Sequence, residues 1–224
     1  MWHALCVHLI ERLLAIDVSA LSDADKTLPV VDPAVRAMIT QVRMAGPAFT
    51  VVAEDDHLPV MSALTEAAPG DVLVVATNGR TCAVYGELLA TEARRRGLAG
   101  IVADGYCRDL RSLRTIGLPV YARGTSPRSG TSVSRAAHGA TIHCGGIEVS
   151  PGDIVFGDDD GLLIASADRI AAALDTAELI ARSERAILAR QAQGESVHGL
   201  TNHDEHVAAL DRGESSTLAF RVDG

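Results

Sequence analysis

Ala68-Pro69-Gly70-Asp71-Val72-Leu73-Val74-Val75-Ala76 reads as a sharp turn, Pro69-Gly70-Asp71, followed by an unbroken apolar run. Such a run has no apolar–polar alternation, so it predicts a strand covered on both faces, as in the core of a parallel sheet. Beyond it, Gly86 to Gly97 reads as a helix, with Leu88, Leu89 and Ala93 on one side. Arg94, Arg95 and Arg96 stand at its C-terminal end, where the dipole favours cations, and Gly97 is its cap. Ile101-Val102-Ala103 is a second buried strand and Leu118 to Ala122 a third, with a short helix between them. Strand, helix, strand, helix, strand is the order of an α/β fold with a parallel core. Sites in such sheets lie beyond the carboxyl ends of the strands.

Toward the N-terminus, His8 to Ile16 has helical spacing, and Ser22 with Asp25 is a candidate cap for a second short helix. Pro29 to Pro33 interrupts regular structure. Val42 to Ala53 reads as a strand broken at Gly46-Pro47, and Leu58 to Ala67 as a helix. In the second half, Ala140 to Gly161 is β structure punctuated by Gly and Asp, with a second Pro-Gly-Asp turn at Pro151-Gly152-Asp153 before Ile154-Val155-Phe156. Ser166 to Arg190 reads as a long helix capped by Ser166, burying Ile170, Leu174, Ala177, Ile180, Ala181, Ile187 and Leu188. Residues 1–190 are thus expected to form a single domain. Residues 191–224, polar and broken by Gly194, Gly199 and Gly213, form a divergent C-terminal arm, either an interface element or partly mobile.

The 224 residues are 47% hydrophobic and 22% charged, which suits a globular domain. Aromatic residues are only 3%, so the core is aliphatic and base-stacking platforms are scarce. Asp plus Glu number 29 against 20 Lys plus Arg, and the net charge of −9 disfavours a nucleic-acid partner. Cys6, Cys82, Cys107 and Cys144 lie far apart with no C-x-x-C pair, which predicts free thiols in a reducing cytoplasm. The first 20 residues have no basic flank or small-residue cleavage signal, and no apolar stretch has the length of a membrane span, so neither export nor membrane insertion is expected.

The densest polar group is Asp104-Gly105-Tyr106-Cys107-Arg108-Asp109, after a buried strand, with Gly105 read as a turn glycine. Arginine grips a planar carboxylate through two parallel hydrogen bonds, and aspartate is a hard oxygen ligand suited to Mg²⁺. A surface ion pair with a helix-capping Asp satisfies the same spacing equally well. Cys107 reads as a packing residue. His203-Asp204-Glu205-His206 reads as a solvated helical face and Asp158-Asp159-Asp160-Gly161 as a solvated turn.

Gly86-Glu87-Leu88-Leu89-Ala90, Asp104-Gly105 and Arg108-Asp109 together resemble the family that contains 4-hydroxy-4-methyl-2-oxoglutarate aldolase and the regulator of ribonuclease activity A. Flanking matches include Leu21-Ser22-Asp23-Ala24, Ala45-Gly46-Pro47-Ala48-Phe49-Thr50-Val51, Pro69-Gly70-Asp71, Ala122-Arg123-Gly124 and Pro151-Gly152-Asp153. The resemblance implies an α/β fold, a β/β/α three-layer sandwich of the swivelling, phosphohistidine-domain-like type, assembled as a homotrimer or homohexamer. It also implies a divalent-metal-dependent aldolase that cleaves a 4-hydroxy-4-substituted 2-oxo acid to pyruvate and a carbonyl compound, with oxaloacetate decarboxylation through the same enolate.

By that resemblance Arg108 holds the pyruvate carboxylate, Asp109 anchors Mg²⁺ or Mn²⁺ largely through waters, and the amides of Leu88 and Leu89 complete the cradle. Free N–H groups at a helix start attract anions independently of any family. Glu87, where aldolase members often carry Asp, is the candidate base for the substrate hydroxyl, with a helix-start acid as the bland alternative. Gly86 and Asn78 are the remaining substrate-binding candidates. Asp104 either orients Arg108 or satisfies turn amides, and Ser112 replaces an acid common in the family. Glu195 or Glu205 is a candidate to reach a neighbouring subunit's site. Lys26 is the single lysine and lies outside the motifs, so a Schiff-base route is not expected. The competing reading is a non-catalytic regulator that binds an endoribonuclease. No glycine-rich strand–turn–helix for S-adenosylmethionine is seen.

Overall fold

In the computed structural model, which describes residues 2–135 and 137–221 with side chains from Val7 onward, Val72–Ala76 is a strand buried at every position. In chain order the elements are α1 (Trp2–Leu13), α2 (Val18–Ala24), β1 (Arg36–Ala37), β2 (Met44–Val52), α3 (Leu58–Glu66), β3 (Val72–Ala76), β4 (Ala83–Tyr85), α4 (Glu87–Arg95), β5 (Gly100–Cys107) and α5 (Leu110–Ile116). They continue as β6 (Val120–Thr125), β7 (Ile142–Cys144), β8 (Ile147–Val149), β9 (Ile154–Asp158), β10 (Gly161–Ala165), α6 (Ala167–Ala192) and α7 (His203–Asp211).

β2, β3, β5 and β6 run parallel, with Phe49 opposite Leu73, Leu73 opposite Ile101, and Ile101 opposite Val120. β9 and β10 extend the sheet antiparallel from β2, and β1 pairs with β6 at the other edge. Val31 N–H donates to Leu162 O (3.0 Å) and Ile164 N–H to Pro29 O (3.2 Å), so the chain ahead of β1 reaches β10 and the sheet nearly closes. The β7–β8 hairpin packs on β2 and β3, while α3 and α4 pack on the sheet and α5 on α4. The result is the expected α/β sandwich.

Side-chain alternation separates two cores. Met44, Val155, Leu162 and Ile164 join the cluster shared with the parallel strands, whereas Ala45, Ile154, Phe156, Leu163 and Ala165 join α1, α2 and α6. Gly46-Pro47 does not break β2. It is where the strand changes partner, pairing with β9 over Met44–Pro47 and with β3 from Ala48. A Cβ at Gly46 would lie 2.2 Å from Gly70 O, so only glycine fits the crossing.

The two Pro-Gly-Asp segments are the same device. Gly70 and Gly152 take positive φ (89° and 86°), Asp71 N–H and Asp153 N–H each donate across the turn at 3.1 Å, and each carboxylate accepts the N–H three residues back at 2.8 Å.

Several local expectations change. α2 starts at Val18, not near Ser22, because the Asp158 carboxylate accepts the Val18 N–H at 2.9 Å. Gly105 is a strand residue of β5, and a Cβ there would meet Thr77 Cγ2 at 2.4 Å. Ser166 occupies the N-cap of α6 but its hydroxyl makes no capping bond, and Leu188 is exposed. Beyond α6 the chain folds back: Asn202 N–H donates to Ala219 O (3.1 Å) and Arg221 N–H to Leu200 O (2.7 Å). No described helix is long and apolar enough to cross a membrane.

Asp104 on β5 joins distant segments. It accepts from Arg123 Nε and, at 2.8 Å, from the Gly145 N–H between β7 and β8, while Arg123 Nη1 also reaches Asp32 at 2.8 Å. Asp104→Ala leaves the Arg123 guanidinium with Asp32 and one amide without this acceptor, so a loss of about 2 kcal/mol is expected, read as a lower urea midpoint with unchanged slope.

Candidate active site

β4 lies parallel to the end of β5, with Tyr85 opposite Cys107, and Arg108 N–H extends the pairing to Tyr85 O at 3.1 Å. The residues that follow, Gly86 on one strand and Arg108-Asp109 on the other, are therefore brought side by side. A Cβ at Gly86 would lie 2.5 Å from Asp109 Oδ2 and 2.7 Å from Arg108 Cγ. The backbone of Gly86 is extended, so glycine is required here by the close approach alone.

Asp109 takes a left-handed conformation (φ 60°) and stands at the N-cap of α5, its carbonyl accepting Leu113 N–H at 3.1 Å. Its Oδ2 accepts the Glu87 N–H at 3.1 Å and lies 3.4 Å from Arg108 Nε. The carboxylate thus caps α4 from outside while α5 begins beneath it, a favourable place for a negative charge. The first helical bond of α4 is Ala90 N–H to Gly86 O at 3.0 Å, so the N–H groups of Leu88 and Leu89 precede the intrahelical ladder.

Gly86, Leu88, Leu89, Arg108 and Asp109 line one cavity of about 170 Å³, together with His57 and Met61 of the α3 start, Ala83, Val84, Tyr85 and Ser129. On the far side of Arg108 and Asp109 a second concavity of about 370 Å³ is bounded by Leu110 and Thr125 to Pro127. Arg108 and Asp109 are both partly exposed and face solvent through these openings.

The other candidates are dispersed. Glu87 starts α4, but its carboxylate is outside the cavity lining and accepts from Ser112 Oγ at 2.9 Å. Asn78 lies between β3 and β4 (φ 51°), bonded to Glu54 and outside that lining. Asp104 serves Arg123 and the Gly145 amide, which answers the alternative between orienting Arg108 and satisfying amides. Cys107 is buried, and burial pushes its thiol up to about 11, so it is a packing residue. Cys82, Cys107 and Cys144 are free, and Cys6 falls outside the described side chains. Asp158 and Asp159 accept backbone N–H groups of Val18, Asp160, Gln41 and Val42. Glu195 pairs with Arg190 and Glu205 with Arg221, both at 2.6 Å. His203 contacts Asp204 and the ring of His198.

His57, Met61 and Ser129 carry no local signal that marks them; they reach the cavity through tertiary folding. Asp56 explains how. Its buried carboxylate accepts from Thr131 Oγ1 (2.6 Å) and from the N–H groups of Leu58, Val133 and Ser134 (2.8–2.9 Å), pinning the segment after Ser129 to the start of α3. Burial pushes this carboxyl up, but the four donors outweigh it and hold it well below the ordinary range.

A guanidinium, a carboxylate and helix-start amides are grouped on a small cavity at the strand ends of an α/β sandwich, a candidate site whose donors have the chemistry to meet a small anion. The sequence model of the RraA-like family (Aldolase/RraA) matches residues 18–164, and the chain belongs to that family. A Halalkalibacterium halodurans protein named "Putative 4-hydroxy-4-methyl-2-oxoglutarate aldolase" is 33% identical over 160 residues, 70% of this chain and 76% of that protein. Among solved structures, Streptomyces coelicolor RraAS2, described as an unusual member of the RNase ES inhibitor RraA family, superposes with a TM-score of 0.71 at 28% identity, covering 82% of this chain and 98% of its own. The RNA-processing inhibitor RraA from Thermus thermophilis gives 0.61 at 28% identity, covering 66% and 91%.

Two outcomes are expected. Gly86→Ala displaces the Arg108 and Asp109 side chains and lowers oxalate affinity at least tenfold by calorimetry, with the melting temperature changed by only a few degrees. Because the folded carboxyl of Asp56 is depressed, its stabilisation is present above the unfolded carboxyl range near pH 4 and lost as pH falls through the lower folded value. Acid unfolding followed by circular dichroism should therefore be less steep below about pH 4 in Asp56→Asn.

Proposed function

We propose that this protein is a divalent-metal-dependent lyase that cleaves a 4-hydroxy-4-substituted 2-oxo acid to pyruvate and a carbonyl compound, and decarboxylates oxaloacetate through the same enolate. The observation that carries this reading is the convergence of Arg108, Asp109 and the free amides of Leu88 and Leu89 on Gly86. The family relationship to proteins named as aldolases supports it.

The donor set suits Mg²⁺ or Mn²⁺. Asp109 is a hard, partly exposed carboxylate, and such ions take one or two carboxylates and keep several waters. Among the described residues no group of three or more His, Cys, Asp or Glu is placed to hold a metal. Asp109 would hold the ion, and bound there it supplies Lewis-acid polarisation of the 2-oxo group.

Arg108 binds the 1-carboxylate in two-point fashion, and the Leu88 and Leu89 N–H groups donate to its remaining lone pairs. That clamp fixes the C3–C4 bond for cleavage and sets a permanent positive charge beside the enolate oxygen as it develops. Glu87, oriented by Ser112, removes the 4-hydroxyl proton through an ordered water. As that proton leaves, C4 becomes a carbonyl, the C3–C4 electron pair enters the pyruvate enolate, and protonation at C3 gives pyruvate. With oxaloacetate the same bond breaks to release carbon dioxide. Assembly as a homotrimer or homohexamer in the cytoplasm completes the proposal.

A second reading is favoured by the names of the structural relatives: a regulator that binds and inhibits an endoribonuclease without using the cavity. The net charge of −9 suits a basic partner surface. Ribonuclease inhibition that persists undiminished in Arg108→Ala is the result that selects it.

For the lyase, pyruvate release from 4-hydroxy-2-oxo acids and from oxaloacetate is followed with Mg²⁺ or chelator. Activity is expected to need the ion, to fall at least 10³-fold in Arg108→Ala and about 10²-fold in Glu87→Gln. No metal- and Arg108-dependent pyruvate from any 2-oxo acid overturns the reading.

A further inference from the structure

Residues 128–134 lie between β6 and β7 and bring Ser129 into the lining of the Arg108 cavity. Their seat is polar and made largely by backbone. Arg128 O accepts the Ala83 N–H at 2.8 Å, and Ser129 forms a parallel bridge with Ala83 at the start of β4. Thr131 N–H donates to Asp55 O at 2.8 Å, and Thr131 O accepts the His57 N–H at 3.0 Å. Asp56 then divides its carboxylate: Oδ2 takes Thr131 Oγ1 and the N–H groups of Val133 and Ser134, while Oδ1 takes the Leu58 N–H that opens α3. The neighbouring Asp55 carboxylate accepts the Cys82 N–H at 3.0 Å. Two consecutive aspartates thus tie together three stretches that line the cavity: the α3 start with His57 and Met61, β4, and the segment carrying Ser129. The fit is closest at Gly130, where a Cβ would lie 2.3 Å from Asp55 O and 2.8 Å from Asp56 N. Apolar hold within the chain is slight, since Val133 is 80% exposed and Ser129, Thr131 and Ser132 are exposed as well. A segment seated by a few hydrogen bonds opens at a much lower cost than a buried sheet.

We propose that residues 128–134 are a strap over the Arg108 cavity whose closure is coupled to anion binding, and that Asp56 is the positioning residue that latches it. The proposal rests on the reading above for Arg108 as the anion clamp and not for bond cleavage. Arg108 is partly exposed, and the attraction between a guanidinium and an anion strengthens as water is excluded around them. With the strap seated, Ser129 helps to bound a space of about 170 Å³. With the strap released, the same guanidinium meets its anion in more open solvent. Asp56 itself is buried with both oxygens engaged, so it acts through the segments it holds. Coupling of this kind is reciprocal: the factor by which strap release weakens the anion is the largest factor by which a bound anion retards strap release.

The test pairs affinity with amide exchange. Oxalate is titrated calorimetrically with Mn²⁺ into the whole protein and three variants, and exchange across residues 128–134 is followed by mass spectrometry with and without it. Asp56→Asn removes the charge that four donors share, and Gly130→Ala displaces the strap without altering any charge. Each is expected to weaken oxalate at least about fivefold. Asp158→Asn alters another buried carboxylate that accepts backbone N–H groups, outside this cavity's lining, and is expected to leave the affinity within about twofold. In the wild type, saturating oxalate is expected to slow exchange over Thr131 to Ser134 at least about fivefold, which a carboxylate that merely holds the fold together would not produce. Unchanged affinity in both strap variants, an equal loss in Asp158→Asn, no protection of the strap, or no oxalate binding at all overturns the proposal. The two readings fail differently. If affinity and exchange behave as expected but no 2-oxo acid yields pyruvate, the lyase reading falls and the strap stands; metal- and Arg108-dependent pyruvate release with unchanged oxalate affinity in both strap variants leaves a lyase and removes the strap.

Discussion

The candidate site depends on a close approach between two parallel strand ends. β4 and β5 carry Tyr85 and Cys107 opposite each other, and one residue later the chains are so near that no side chain fits between them. Glycine at position 86 lets Arg108 and Asp109 lie against the start of α4, so a guanidinium, a carboxylate and unpaired helix amides share one small space. The rest of the architecture fixes that approach. The parallel strands are buried throughout at β3 and largely at β5, and the long-range bonds of Asp104 tie β5 to β6 and to the β7–β8 turn. A shift of a strand by one residue would exchange its faces and separate the charged pair from the helix.

The elements that were legible in the sequence are those whose pattern is local. β3, α4 and the α5 region follow from a continuous apolar run, helical spacing and glycine caps, and Arg108 and Asp109 follow from their place after a buried strand. The two Pro-Gly-Asp turns were also readable, because proline, a glycine with positive φ and a capping aspartate each act within four residues. What escaped was set by distance in the chain. β4 is three residues long and is held by pairing with β5 and by the Ala83 N–H bond to Arg128 O at 2.8 Å. The α2 start is fixed by Asp158, which lies 140 residues away in sequence. Gly105 looked like a turn because glycine commonly makes one, whereas here it clears Thr77, the residue after the end of β3. His57, Met61 and Ser129 enter the cavity by tertiary contact, so nothing beside them in the chain announces it.

The geometry also redistributes roles among the acidic residues. Asp104, Asp109 and Glu87 fall within a short span of sequence, yet Asp104 is committed to Arg123, Glu87 reaches Ser112, and Asp109 alone of the three lines the cavity. Ser112 has a clear physical task, since its hydroxyl donates to the Glu87 carboxylate at 2.9 Å. The abundance of negative charge elsewhere is absorbed by turns and helix starts: Asp56, Asp71, Asp153 and Asp158 all accept backbone N–H groups. Arg108 lies in a concavity where its guanidinium is available to solvent beside Asp109.

Asp109 combines two demands at one α-carbon. Its φ of 60° belongs to a region that glycine, asparagine and aspartate enter readily and other residues resist. Most replacements would add conformational strain at the root of α5 while removing the charge, so foldability and ligand capture are entangled for them. Asparagine and glycine preserve the backbone preference while deleting the anion. This leaves the position a narrow alphabet: asparagine or glycine keeps the backbone at the root of α5 and removes the carboxylate, and few other letters keep either.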